Sequence, residues 1–211
     1  MAETKVFTVR FGQDEITTTV TSSGRSVDRW IAETLSLHRP GGARRDIIVG
    51  LDVEWRPSFS SALNPAATLQ LCVDRRCLIF QLLHADYLPA ALLGFLGDRA
   101  IHFYGIGVEA DAARIRADHG LAVSNTVDLR GYAADYMGRP ELRQAGLRGV
   151  VAAVLGTNLN KPQRVTMSRW DARTLSDEQV SYACVDAFVS SEVARKLQAM
   201  QRQEQIVGFV S

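Results

Sequence analysis

The chain has 211 residues, enough for one large domain with a buried core. Charged residues make up 22% and apolar ones 46%, and 24 basic against 23 acidic residues leave a net charge of +1. A globally basic nucleic-acid footprint is therefore excluded, and any such surface must be local.

Residues 5–22, "KVFTVRFGQDEITTTVTS", alternate like two strands joined by a hairpin turn at "GQDE". The polar–apolar alternation of the N-terminus lacks the continuous apolar run of a secretory signal. "SVDRWIAETLSLH" follows with helical spacing in Trp30, Ile31, Leu35 and Leu37, and Ser26 is its expected N-cap. After the loop "RPGGARRD", the run "IIVGLDVEW" reads as a strand over 47–54 buried on both faces. "PSFSSALNPAA" is a polar, turn-rich loop. "TLQLCVDRRCLIFQLL" is a second hairpin, two apolar runs around "DRR". Its Cys72 and Cys77 read as hairpin residues, since three cysteines with no second Cys or His pair make neither a disulfide framework nor a zinc site. That cysteine usage suits an intracellular, reducing compartment.

A helix is expected over "ADYLPAALLGFLGD", a strand over "AIHFYGIG", and a helix over "VEADAARIRADHG" closed by Gly120. "SNTVDL" is a short strand, and helices are expected at about 130–137, 141–155 and 176–202. No stretch approaches the roughly 20 apolar residues of a membrane span. Strands first and helices interleaved later predict an α/β fold with a mixed sheet covered by helices.

Three local features bear chemistry. Alternation along a strand puts Asp52 and Glu54 on one side. Two carboxylates at the end of a core strand repel each other and lose solvation. Either a cation sits between them or the pair is a solvated strand end. Ser176 and Gln179 fit a capping box that starts a helix near 176, which places Tyr182 and Asp186 four apart on one face. Such a pair can hold a metal ion and orient a water, or can be an ordinary half-buried Tyr and Asp. In "YGIGVEADAARI", Gly105 and Gly107 suggest a tight strand-to-helix connection with Asp111 in the first turns of the helix. That position also stabilises a helix on its own account, and the glycines lack the further residues of a nucleotide-binding loop.

Taken in order, D-x-E on a strand, Asp beyond a Gly-rich strand end and Y-x-x-x-D on a late helix resemble the DEDD superfamily of 3′-5′ exonucleases. The Tyr four residues before the last Asp is similar to its DEDDy branch. "VGLDVEW", "LQLC", "YGIGVEADAARI", "VDLR" and "SRWDARTLSDEQVSYACVDAF" resemble the motifs of the Werner syndrome-like exonuclease group. The resemblance implies an RNase H-like mixed central sheet flanked by helices. It covers residues 46–202 as the exonuclease domain, with 1–45 a hairpin-and-helix extension and 203–211 a C-terminal tail.

It further implies a metal-dependent enzyme that hydrolyses the phosphodiester bonds of DNA from the 3′ end. Oxygen-only ligands suit Mg²⁺ or Mn²⁺, and two ions can stabilise the attacking and leaving oxygens. By resemblance Asp52 bridges both ions, Glu54 and Asp186 hold one, Asp111 holds the other through water, and Tyr182 positions the attacking water. A phenol with a pKa near 10 is a poor base at neutral pH, hence an orienting role. The same chemistry on RNA, as in RNase D-type relatives, and a catalytically silent nucleic-acid-binding scaffold are the alternatives; the intact carboxylate set argues against the scaffold. Residues 139–173 hold seven basic and two acidic residues, a local net charge of +5. Lys161, Arg164 and Arg169 in this run are candidates for backbone contact. Trp55 is a candidate for stacking on the terminal base, or a core residue. The ATP-binding P-loop motif is missing, so any helicase partner is expected to be a separate chain. The family role, with no signal read in the sequence, implies a nuclear site.

Overall fold

The computed structural model describes residues 2–42, 45–58 and 64–208. Its centre is β3 (Ile47–Glu54), whose residues alternate between two cores. Ile47, Val49, Leu51 and Val53 face one side and are 3% exposed or less, while Ile48, Gly50, Asp52 and Glu54 face the other. The remaining strands are β1 (Thr4–Phe11), β2 (Asp14–Thr21), β4 (Thr68–Val73), β5 (Arg76–Phe80), β6 (Ile101–Gly105) and β7 (Thr126–Asp128). They form one mixed sheet in the order β1-β2-β5-β4-β3-β6-β7. β3 is parallel to β6 over Ile47–Gly50 and antiparallel to β4 over Gly50–Glu54, so the end that bears Asp52 and Glu54 is paired along β4.

The helices are α1 (Gly24–His38), α2 (Ala90–Gly97), α3 (Val108–His119), α4 (Leu129–Met137), α5 (Leu147–Leu155), α6 (Gln163–Thr166) and α7 (Asp177–Gly208). The first three supply the core on the Leu51 face, with Trp30, Phe95 and Phe103 meeting edge to face. α4, α5 and α7 cover the opposite face, the one that bears Asp52 and Glu54. The layout is the mixed sheet flanked by helices that the order of elements predicted. The hairpin of residues 1–45 belongs to this same sheet, because β2 runs parallel beside β5. Cys72 and Cys77 stand opposite each other across the β4–β5 hairpin as read, both buried and free.

Several boundaries differ from the sequence reading. α1 starts at Gly24 with Ser23 as N-cap; Ser26 lies inside the first turn and its hydroxyl bonds Thr4 instead. The helix expected over 85–98 begins only at Ala90, after Pro89, because a proline disfavours helical backbone in the residue before it. A short 3₁₀ turn, Leu82–His84, precedes it. The expected helix 141–155 is two pieces, a 3₁₀ segment Pro140–Gln144 and α5, parted at extended Ala145 and Gly146. α6 was not anticipated. α7 passes the expected end at 202 and runs through Gly208, so residues 203–208 continue the helix; 209–211 lie outside the described residues. The loop read at 57–67 is described at its two ends, with 59–63 outside. No helix among the described residues is long and apolar enough to cross a membrane.

Candidate active site

β3 and α7 meet at Gly50. A Cβ built there would lie 1.8 Å from the Ala187 carbonyl oxygen, so only glycine lets the strand and helix approach this closely. Gly50 lies two residues before Asp52, and Ala187 follows Asp186. The contact therefore brings together carboxylates that are 134 positions apart in the sequence. Ligand oxygens of Asp52, Glu54 and Asp186 all lie within 4.8 Å of one another.

The start of α7 is fixed by the capping box read from the sequence. Ser176 N–H donates to Gln179 Oε1 at 3.0 Å, and Gln179 N–H donates to Ser176 Oγ at 3.2 Å. One turn on, Tyr182 shares a 3.0 Å hydrogen bond with Thr166 Oγ1. Its ring packs against Trp170, centroid to centroid 5.9 Å. Trp170 in turn donates its Nε1 hydrogen to the Thr166 carbonyl at 3.2 Å. α6 thus presents Thr166 to the phenol, and Trp170 is buried in the core.

Asp111 sits in the first turn of α3 behind Gly107, whose φ of +68° is a left-handed turn. Asp128 holds that turn: its Oδ2 accepts from Gly107 N–H at 2.9 Å and its Oδ1 from Arg130 N–H at 2.9 Å, with the Arg130 guanidinium on both oxygens. Burial works against the Asp128 charge, but the hydrogen bonds from Arg130 and Gly107 outweigh it and keep its pKa below the usual range. The "VDLR" stretch therefore has a structural task, which sequence reading noted only as a motif. Asp111 stands beside the trio rather than within it, near enough for its charge to act on Asp52.

The electrostatics are those of crowded anions. Burial, then the charges of Asp186 and Asp111, push Asp52 well above the ordinary carboxylate range. Burial and Asp52 do the same to Glu54. Burial raises Asp111 to about 7 against the pull of Arg114, and raises Asp186 against Lys161. Such a set asks for a cation. Three clustered carboxylates offering oxygen alone fit a hard divalent ion such as Mg²⁺ or Mn²⁺. Burial and the Asp186 charge also raise the Tyr182 phenol above its usual value, which suits it to orienting a water rather than taking a proton.

The proposed nucleic-acid contacts are placed less uniformly. Lys161 is in the site, its ammonium donating to Asp186 Oδ2 and lying 4.9 Å from the Tyr182 ring centre. Trp55 is half-buried, and the Arg114 guanidinium lies 4.2 Å above its ring. Arg114, one turn past Asp111, also donates to the Asn64 carbonyl; sequence reading gave it no role. Arg164 is exposed but held by both oxygens of Glu178, and Arg169 pairs with Asp171 at 3.5 Å. Arg139 and Arg143 pair with Glu141 and Asp135. Three of the five net charges of this run are thus balanced by Asp135, Glu178 and Asp186 outside it. A cleft of about 360 Å³ adjoins Tyr182 and Asp186, walled by Asn160, Arg164 and, from the β1 end, Arg10 and Phe11.

A protein-family model described as 3′-5′ exonuclease matches residues 27–202. The chain is 32% identical over 145 residues to a "3′-5′ exonuclease" of Arabidopsis thaliana, covering 67% of this chain and 49% of that one. It is 28% identical over 170 residues to the mouse "Bifunctional 3′-5′ exonuclease/ATP-dependent helicase WRN", covering 80% of this chain and 12% of the relative. Escherichia coli RNase D shares the fold at a TM-score of 0.67 and 17% identity, over 85% of this chain and 45% of that structure. The chain thus spans about half, or less, of the length of these relatives.

Proposed function

The chain belongs to the 3′-5′ exonuclease family, and from that premise we propose that it hydrolyses DNA from the 3′ end with two divalent ions. The observation that carries the reading is the trio of half-buried Asp52 and Glu54 at the end of β3 and buried Asp186 on α7, with ligand oxygens within 4.8 Å of one another. Mg²⁺ or Mn²⁺ bound there supplies Lewis acidity and a water of lowered pKa. Asp52 and Glu54 from the strand and Asp186 from the helix would hold an ion, and Asp111, on its separate turn, would hold a second. Tyr182, fixed by Thr166 and Trp170, orients the attacking water. Trp55, kept in place by Arg114, offers a face for the terminal base. Arg164 and Arg169, both exposed, approach the phosphate backbone by exchanging their carboxylate partners for phosphates.

The preference for DNA rests on the Werner-type motifs. It is tested by comparing turnover on equal-length DNA, RNA, and DNA ending in a single 3′ ribonucleotide, because sugar choice lies at the terminal 2′ position. Faster degradation of DNA than of either ribose-ended strand is expected; the reverse order would make the protein an exoribonuclease on the same site. Action inside the cell, on nuclear DNA, follows from the family role.

A further inference from the structure

Lys161 has a place that its sequence context does not explain. The chain uses 21 arginines but only three lysines, Lys5, Lys161 and Lys196. One of the three is ion-paired to Asp186 of the carboxylate trio. Its ammonium donates to Asp186 Oδ2, on one of the three carboxylates that the trio offers to an ion. Asp186 is buried, its side chain 3% exposed, whereas that of Lys161 is 29% exposed and so open to solvent on one side. The residue rides on the connection between α5 and α6, which begins at the left-handed Gly156 and ends at Pro162.

We propose that Lys161 is a built-in counter-ion of the site and competes with a divalent cation for Asp186; this rests on the metal-site reading above. Buried carboxylates left unpaired are costly, so a resident cation holds Asp52, Glu54 and Asp186 together when no ion is bound. A +2 ion among the same oxygens repels a neighbouring ammonium at a few ångströms. Lysine is a compact point charge on a flexible stem and leaves one oxygen readily, whereas an arginine fork would grip the carboxylate with two hydrogen bonds. Lys161 is therefore a positioning residue: it keeps the free site assembled and sets how tightly the first ion is held.

The test is calorimetric titration of Mn²⁺ into the wild-type protein and Lys161→Met, with melting of both in EDTA. Removing the competitor should tighten Mn²⁺ binding at least about fivefold, the lower end of typical coupling between sites. Lys161→Met should also melt below the wild type in EDTA and gain more from Mn²⁺. Equal or weaker Mn²⁺ binding by the variant, with the wild type binding normally, would overturn the competition alone. A wild type that binds no Mn²⁺ would overturn the metal site itself. Should Lys161→Met fail to fold, wild-type protein labelled at lysine ¹³Cε gives three signals to follow during Mg²⁺ titration. The Lys161 signal should move while those of Lys5 and Lys196 stay; a stationary Lys161 signal as the ion binds would overturn the proposal.

Discussion

Gly50→Ala perturbs the site without touching a functional side chain. The added Cβ would meet the Ala187 carbonyl oxygen at 1.8 Å, with the Ala187 carbon at 2.8 Å and the Ser191 nitrogen at 2.9 Å. Ordinary contact begins near 3.4 Å, so strand and helix must part by about 1.6 Å, and no flexible side chain is available to yield. Forced overpacking costs about 1–3 kcal/mol, and backbone against backbone belongs at the upper end. For a domain of this size that is a drop of roughly 6–12 °C in melting temperature. Because Asp186 travels with Ala187, the trio opens by a similar distance, and misplacement by about 1 Å costs on the order of 10²-fold in turnover. Circular dichroism melting, Mn²⁺ titration and turnover on a 5′-labelled single strand measure the three effects. A variant that melts within 2 °C of the wild type and keeps its Mn²⁺ affinity would refute the claim that this contact builds the site.

Tyr182→Phe should fold normally and lose about 10²-fold in kcat with little change in Mn²⁺ affinity; lost ion binding instead would make the phenol a ligand. Thr166→Val removes the hydrogen bond on that phenol and should lose less than Tyr182→Phe, with about 1 kcal/mol of stability. Asp128→Ala releases the Gly107 turn, and roughly 1–3 kcal/mol should go with it. Tight Mn²⁺ binding by the trio should survive in that variant while turnover falls. In EDTA, Asp111 keeps its proton in the folded protein up to about pH 7 but releases it near pH 4 when unfolded. Its contribution is therefore present at low pH and lost as pH rises from about 4 to 7. Asp111→Asn, which stays neutral, should gain in melting temperature relative to the wild type across that range; parallel curves would contradict the buried, ion-seeking Asp111.

Much of this was legible from local pattern. The alternation in "IIVGLDVE" gave both the central strand and the side on which Asp52 and Glu54 lie, because a strand buried on both faces still has a period of two. The Ser176–Gln179 capping box located the start of α7, and spacing of four placed Tyr182 beside Asp186. What stayed hidden depends on contacts remote in sequence. Gly50 looked like one more small residue in an apolar run until Ala187 was set against it. Arg114 and Thr166 act across gaps of 59 and 16 positions, on Trp55 and Tyr182. The charge of residues 139–173 misled in the same way: a count sees seven cations, but Asp135, Glu178 and Asp186 lie outside the run and balance three of them. Ser26 has a capping residue's chemistry, but its hydroxyl bonds Thr4 from across the fold, and the helix starts after Ser23.

On the proposed reading, an ion held by the trio is needed to cut DNA from its 3′ end. The most direct measurement is a denaturing gel of a 5′-labelled oligonucleotide incubated in Mg²⁺ with the wild-type protein, with Asp186→Asn, and with the wild type in EDTA. A ladder that shortens one nucleotide at a time from the 3′ end, present only for the wild type in Mg²⁺, is the predicted result. An undiminished ladder in EDTA, or one from Asp186→Asn at the wild-type rate, would contradict it.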